Sequence, residues 1–203
     1  MIYAAILGKL AQLTPQLGGV LSTADLSSIV RSGSDLQNQR AIKKMIREDV
    51  LFRVRKGLYT TKSPSLEILA ARLNEKAYLS MDTVLAKNGL IGTVPLGSVS
   101  AVSIKRGKAI KAVSGLVRFF QIRPSLMFGY ARSKEGLWIA DSEKAFLDLL
   151  YFYVKGARFV IDPTQEVITR RLDRSRIAKY LRAYKNPKFV RFVKNLISLR
   201  EDA

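Results

Sequence analysis

The chain has 203 residues, with 35 Lys and Arg against 16 Asp and Glu, and contains neither His nor Cys. Without cysteine there are no disulfides, thiolate nucleophiles or thiolate metal sites, and without histidine the commonest general base and transition-metal ligand are missing; the chain reads as a non-enzyme with no cofactor and no metal. A formal net charge of +19 repels itself unless an anionic partner or salt offsets it, which points first to nucleic acid.

Residues 2–13 place Ile2, Ala5, Ile6, Leu10 and Leu13 at helical spacing. The same segment lacks the basic start and small-residue cleavage site of a signal peptide. Gly18 and Gly19 mark a turn, after which Val20 and Leu21 suit a short strand. Thr23 or Ser22 caps a helix running to Arg31, with Leu26, Ile29 and Val30 inward. Gly33 breaks it, and Ser34 caps a longer helix to about Asp49. At about 100° per residue, Ala41, Ile42, Met45 and Ile46 share one face of that helix. Gln37, Arg40, Lys43, Lys44 and Arg47 share the opposite face. VLFRVRKGLYTT then reads as two β-prone runs joined by Arg-Lys-Gly, a hairpin with Gly57 at the tight position.

The polar stretch 60–65, interrupted by Pro64, is the expected boundary between a domain at 1–62 and another at 63–203. Beyond it, Pro64 and Ser65 open a helix to about Lys76, and Ser80 caps another ended by Gly89. Residues 98–104 and 112–122 are β-prone and are expected to form a hairpin through the basic link KRGKAIK. Asp141 caps EKAFLDLLYFYVK, whose apolar face is Ala145, Phe146, Leu149, Leu150 and Tyr153. Lys144 and Asp148, at i,i+4, are expected to pair on its surface. Glu143 and Lys144 sit in a first helical turn, which suits capping and pairing better than catalysis. The segment SRIAKYLRAYKNPKFVRFVKNLISLR reads as two amphipathic helices broken near Asn186 and Pro187. Tyr180, Leu181, Tyr184, Phe189, Phe192, Val193 and Leu196 would pack; Arg182, Lys185, Lys188, Arg191 and Lys194 would face solvent or an anion.

Two short helices, the second basic, followed at once by a basic hairpin form the pattern of a winged helix-turn-helix. The expected fold class is therefore α+β: an N-terminal winged helix-turn-helix at 1–62 and a mixed α/β C-terminal domain at 63–203. A basic helix face alone is as readily a solvated surface; it is the ensemble that points to double-stranded DNA. Gln37 and Arg40, near the helix start, have the bidentate chemistry for base edges. Lys43, Lys44, Arg47, Arg53, Arg55 and Lys56 suit phosphates, which give affinity and salt dependence without sequence choice. Leu36 suits either a thymine methyl or packing. A second basic patch, Lys105, Arg106, Lys108 and Lys111, lies in a stretch with no acid between Asp82 and Glu135. An extended DNA footprint, an acidic partner and a solvated turn are all open readings of it.

GGVLSTADL followed by AIKKMIREDVLFRVRKGLYT resembles the N-terminal winged helix of AbiEi-type antitoxins of bacterial type IV toxin–antitoxin systems. YLSMDTVLAKNGLIGTVP at 78–95 is similar to that family's Ser-initiated helix ending in Gly-Leu-Ile. FGY at 128–130 with IADSEKAFLDLLYF at 139–152 is similar to its Glu-Lys-Ala and Leu-Asp-Leu-Leu helix. In order, these cover about three quarters of the chain. The resemblance implies an antitoxin-like C-terminal domain. It also implies a repressor that binds inverted repeats in its own promoter and counteracts a nucleotidyltransferase-type toxin encoded beside it, without tight toxin binding being required.

Other classes fare worse. A nucleotidyltransferase of the toxin type needs an Asp-x-Asp pair to hold Mg²⁺, and no Asp-x-Asp occurs in the sequence. An RNA module would interleave aromatics with surface cations, whereas the aromatics here fall mostly on apolar faces. No apolar run approaches the roughly 18–20 residues of a membrane span, so a cytoplasmic protein is expected; binding of the basic tail to a membrane surface is a minor alternative. A winged-helix regulator with no toxin partner is the main rival.

Overall fold

The structure, a computed structural model, describes residues 2–31, 34–92 and 96–198; Gly33, the expected helix breaker, lies outside the described residues. The mixed α+β class is as expected. The first helix, α1 (Ile2–Leu13), buries Ile6 and Leu10, whereas Ala5, expected inward, is exposed. Strand β1 (Val20–Ser22) follows. Ser22 caps α2 (Thr23–Val30) through a capping box, in which its side chain and that of Asp25 each bond the other's backbone N–H. Ser34 caps α3 (Asp35–Arg47) by accepting from the Gln37 N–H at 3.3 Å. Strands β2 (Phe52–Arg55) and β3 (Leu58–Thr60) complete a three-stranded antiparallel sheet in the order β1-β3-β2. The core of this unit is Ile6, Leu10, Leu21, Leu26, Ile29, Val30, Ile42, Met45 and Leu51.

The rest of the chain builds a six-stranded mixed sheet, ordered β6-β7-β5-β4-β9-β8. Its strands are β4 (Tyr78–Leu79), β5 (Ser98–Ser103), β6 (Ile110–Ala112), β7 (Gly115–Gln121), β8 (Tyr130–Arg132) and β9 (Trp138–Ala140). The expected hairpin of 98–104 with 112–122 is corrected here. Strands β5 and β7 run parallel, from Ser98 opposite Leu116 to Ser103 opposite Gln121. The antiparallel partner of β7 is instead the short β6, with Ala112 opposite Gly115. Where β5 and β7 begin, a Cβ on Gly115, at φ +152°, would meet the Gly97 carbonyl oxygen at 2.1 Å. No side chain fits there.

Helix α4 (Leu66–Leu73) is shorter than expected, because Asn74 turns to an extended conformation. Ser80 precedes α5 (Met81–Lys87) but makes no capping bond; its hydroxyl is engaged elsewhere. Helix α6 (Ser142–Val154) is capped by Asp141 and packs against α5, β9, α7 (Arg174–Leu181) and α8 (Pro187–Ser198). Ala145, Phe146, Leu149 and Leu150 are buried as expected, but Tyr153 is exposed.

Lys144 and Asp148 do pair, though not on the surface: both side chains are 0% exposed. Helical spacing brings them together, but α6 is enclosed on that side as well. Asp148 Oδ2 accepts from the Tyr78 and Ser80 hydroxyls, each at 2.9 Å. Lys144 Nζ donates to Asp148 and, at 3.4 Å, to the Tyr184 hydroxyl. It also lies 4.7 Å from the Phe128 ring centroid. Desolvating two ions costs several kcal/mol each, and the pair survives only when the remaining donors and acceptors are used. Here they are. Burial pushes the Asp148 carboxyl up, against the downward pull of Lys144, Ser80 and Tyr78. Gly129, at φ +69°, lets the chain pass close by: a Cβ there would sit 2.9 Å from Lys144 Cβ.

The two sheets belong to one continuous body. Val20 and Leu58 of the first pack into the larger core with Leu69. The Ser65 N–H donates to the Gly18 carbonyl at 2.8 Å, and Asp25 pairs with Arg72 at 3.7 Å. Strand β2 lies against β6.

Asp148→Asn leaves Lys144 buried beside a neutral partner and should cost about 3–5 kcal/mol in urea denaturation. Lys144→Met combined with Asp148→Leu should cost less than the worse single change. A single substitution costing under about 1 kcal/mol would show that the pair contributes little to stability.

Candidate nucleic-acid interface

Helix α3 is strongly two-sided. Ile42 and Met45 are buried and Ala41 and Ile46 half-buried, while Gln37, Arg40, Lys43, Lys44 and Arg47 are exposed. Gln37 stands in the first turn and Arg40 one turn later. Arg40, Lys43 and Arg47 have no carboxylate partner among the described residues.

Lys44 is different. Its Nζ lies 3.8 Å from Glu48 Oε1 and 3.9 Å from the centroid of the Tyr3 ring. The Tyr3 hydroxyl donates to Glu48 in turn. Partial burial and the adjacent Glu48 carboxylate push that hydroxyl's pKa up to about 12. These three side chains join α1 to the end of α3, and Lys44 is engaged there although its side chain is 44% exposed. Carboxylates at Asp35, Glu48 and Asp49 bracket the helix and confine its positive stripe to residues 40–47.

Strand β2 alternates, with Phe52 and Val54 half-buried and Arg53 and Arg55 exposed. Lys56 is exposed beside Gly57, whose φ of +80° makes the tight turn. Arg55 was expected at phosphates, but its guanidinium donates to the Arg72 and Leu73 carbonyls at 3.0 and 3.1 Å. These are unsatisfied carbonyls at the end of α4, where a cation is favoured. Arg55 therefore holds the hairpin to the end of α4.

Lys105, Arg106, Lys108 and Lys111 are all exposed, on the β5–β6 connection and on β6. Lys111 shares a shallow cavity of about 410 Å³ with Asp49, Arg53 and Val54. The second basic patch thus adjoins the hairpin; its distance along the sequence gave no sign of that.

Two features of α3 escaped sequence reasoning. Asn38, a polar residue, is buried at 8% exposure on the side of Ile42 and Met45. Leu36, left open between packing and contact, is 58% exposed, next to Gln37. Lys144 and Glu143 serve structure: Glu143 accepts from the Asp173 N–H at 2.9 Å and pairs with Arg176 at 3.1 Å. A second ion pair, buried Asp82 with half-buried Arg118 at 2.8 Å, ties α5 to β7. Among the described residues no cluster of carboxylates could hold a metal ion, and no helix is long and apolar enough to cross a membrane.

The fold is similar to that in the crystal structure of the RV2827C protein from Mycobacterium tuberculosis. The TM-score is 0.60 at 14% identity, over 93% of this chain and 73% of that one. At that identity the likeness is one of fold alone. No protein-family profile matches the chain, and no curated protein matches it in sequence.

Arg55→Ala should lower stability by about 1–2 kcal/mol through two lost hydrogen bonds, while leaving the salt dependence of DNA binding unaltered. A log–log salt slope smaller by about one unit would instead return Arg55 to the phosphates.

Proposed function

We propose that the protein is a DNA-binding transcriptional repressor whose N-terminal 62 residues form a winged helix-turn-helix. The observation that carries this reading is the outer face of α3. Gln37, Arg40, Lys43 and Arg47 stand exposed there, with the basic hairpin of Arg53 and Lys56 beside them. The element order α1-β1-α2-α3-β2-β3 and the sheet order β1-β3-β2 are compatible with a winged helix-turn-helix, which supports the same reading.

On this reading α3 enters the major groove. Gln37 and Arg40, nearest its start, meet base edges, and Leu36 is placed for a thymine methyl. Lys43, Arg47, Arg53 and Lys56 meet phosphates. Lys111 and the cations before it on the β5–β6 connection extend the positive surface away from the hairpin. The ordered resemblance to AbiEi antitoxins supports the further proposal that the repressor acts on inverted repeats in its own promoter. The same resemblance supports a role in counteracting an adjacently encoded nucleotidyltransferase-type toxin.

A gel-shift titration on the chain's own upstream region tests the DNA reading. Arg40→Ala should cost about 1–3 kcal/mol on that sequence and much less on random duplex. Lys43→Ala should weaken both alike and reduce the salt slope by about one unit. Equal losses on both duplexes for Arg40→Ala would remove it from base reading. Full-affinity binding by a variant lacking Arg40, Lys43 and Arg47 would sink the interface itself.

A further inference from the structure

Two adjoining depressions, the second of them shallow, flank the turn between α7 and α8, and among the described residues the only charged groups in their walls are cations. The first, of about 560 Å³, is lined by Arg123, Lys155 and Lys185 over a floor of Pro124, Leu126 and Tyr151. The second, of about 500 Å³, adds Arg182, Arg191 and Lys194. Tyr184 and Lys185 line both, so the two cavities meet at that turn. Among the described residues no carboxylate lines either one. None of the six cations has an ion-pair partner among the described residues. Like charges gathered in a concave wall repel one another and raise the local affinity for an anion.

The floor restricts the kind of anion. It is apolar and aromatic, and its back is packed. Tyr184 is buried, accepts from Lys144, and sits edge-on to Tyr151 with centroids 5.8 Å apart. Tyr151 is half-buried, with Lys155 Nζ held 4.4 Å from its ring centroid. A bare inorganic anion makes no use of such a floor. A ligand with a planar ring and several negative charges uses all of it, and each cavity lies within the roughly 300–1,000 Å³ typical of small-molecule sites.

We propose that this is a binding site for a nucleoside polyphosphate, distinct from the α3 surface. The base lies against Tyr151 in the place Lys155 now occupies, since aromatic side chains stack on any base. The displaced Lys155 ammonium, Arg123 and Lys185 bind the nearer phosphates. Arg182 and Arg191, beyond Lys185, meet the end of the chain. Because the positive lining continues past Lys185 into the second cavity, the site favours three phosphates over one.

Isothermal titration of the full chain with ATP, GTP, AMP, GMP and inorganic tripolyphosphate tests this. ATP or GTP should bind about tenfold or more tighter than its monophosphate and than tripolyphosphate. Arg123→Ala and Lys185→Ala should each weaken triphosphate binding by about tenfold. Both side chains are exposed, so melting temperature should hold. Arg40→Ala, on α3, should leave nucleotide binding unchanged. Tripolyphosphate matching ATP would overturn the base contact. Binding lost in Arg40→Ala but kept in Lys185→Ala would place the nucleotide on α3 and overturn the site. No binding at about 1 mM ligand would overturn the proposal outright.

Discussion

The pairing of Lys144 with Asp148 is the constraint around which the larger half of the molecule is arranged. Two opposite charges lie wholly out of water in the middle of α6, and four further groups converge to make that tolerable. The Tyr78 hydroxyl comes from a sheet strand, Ser80 from the start of α5, Tyr184 from the turn after α7, and Phe128 from the approach to β8. Ser80 gives up its capping bond to take part. The nine buried residues of α6 already hold it by close packing. Sliding α6 by one turn would strand the hydroxyls as well as the charges. The pair thus fixes the setting of α6 more than it adds to stability, in keeping with the specificity that buried polar groups confer in other folds.

That setting reaches α3 through a short series of fastenings. The sheet that α6 covers ends in β6, which lies against β2 of the hairpin. Arg55 ties the same hairpin to the end of α4, and Asp25 with Arg72 ties α2 to α4. At the other end, Tyr3, Lys44 and Glu48 join α1 to α3. The exposed cations of α3 and of the hairpin therefore stand on a surface that α4 and β6 help to hold in place. Glu48 offsets part of the charge of Lys44, whereas Arg55, bonded to neutral carbonyls, keeps its charge beside the end of α4.

What the sequence made legible followed from local rules. The two faces of α3, the caps at Ser34 and Asp141, the Gly57 turn and the break at Pro187 depend on spacing and backbone chemistry within a few residues. What it hid depended on partners far away in the chain. Strands of two or three residues, such as β4, β8 and β9, are too short to show an alternation. The parallel pairing of β5 with β7 leaves no local mark, because the turn chemistry at 113–115 belongs to β6 instead. The spacing of Lys144 and Asp148 announced the pair but not its burial, since the rule for i,i+4 pairs describes solvated helices. Arg55 obeyed the alternation of β2; only the arrival of the end of α4 gave it another task.

The contact of β2 with β6 has one more effect. Each is the last strand of its sheet, and the open backbone groups of a last strand invite pairing with other chains. Here two such margins come near each other without pairing. Of the remaining two, β1 is flanked by α4, and β8 is only three residues long and carries Arg132, the short, charged kind of margin that resists growth. An incoming strand would meet the neighbouring sheet at either margin, so the closeness of β2 and β6 limits the room for growth there.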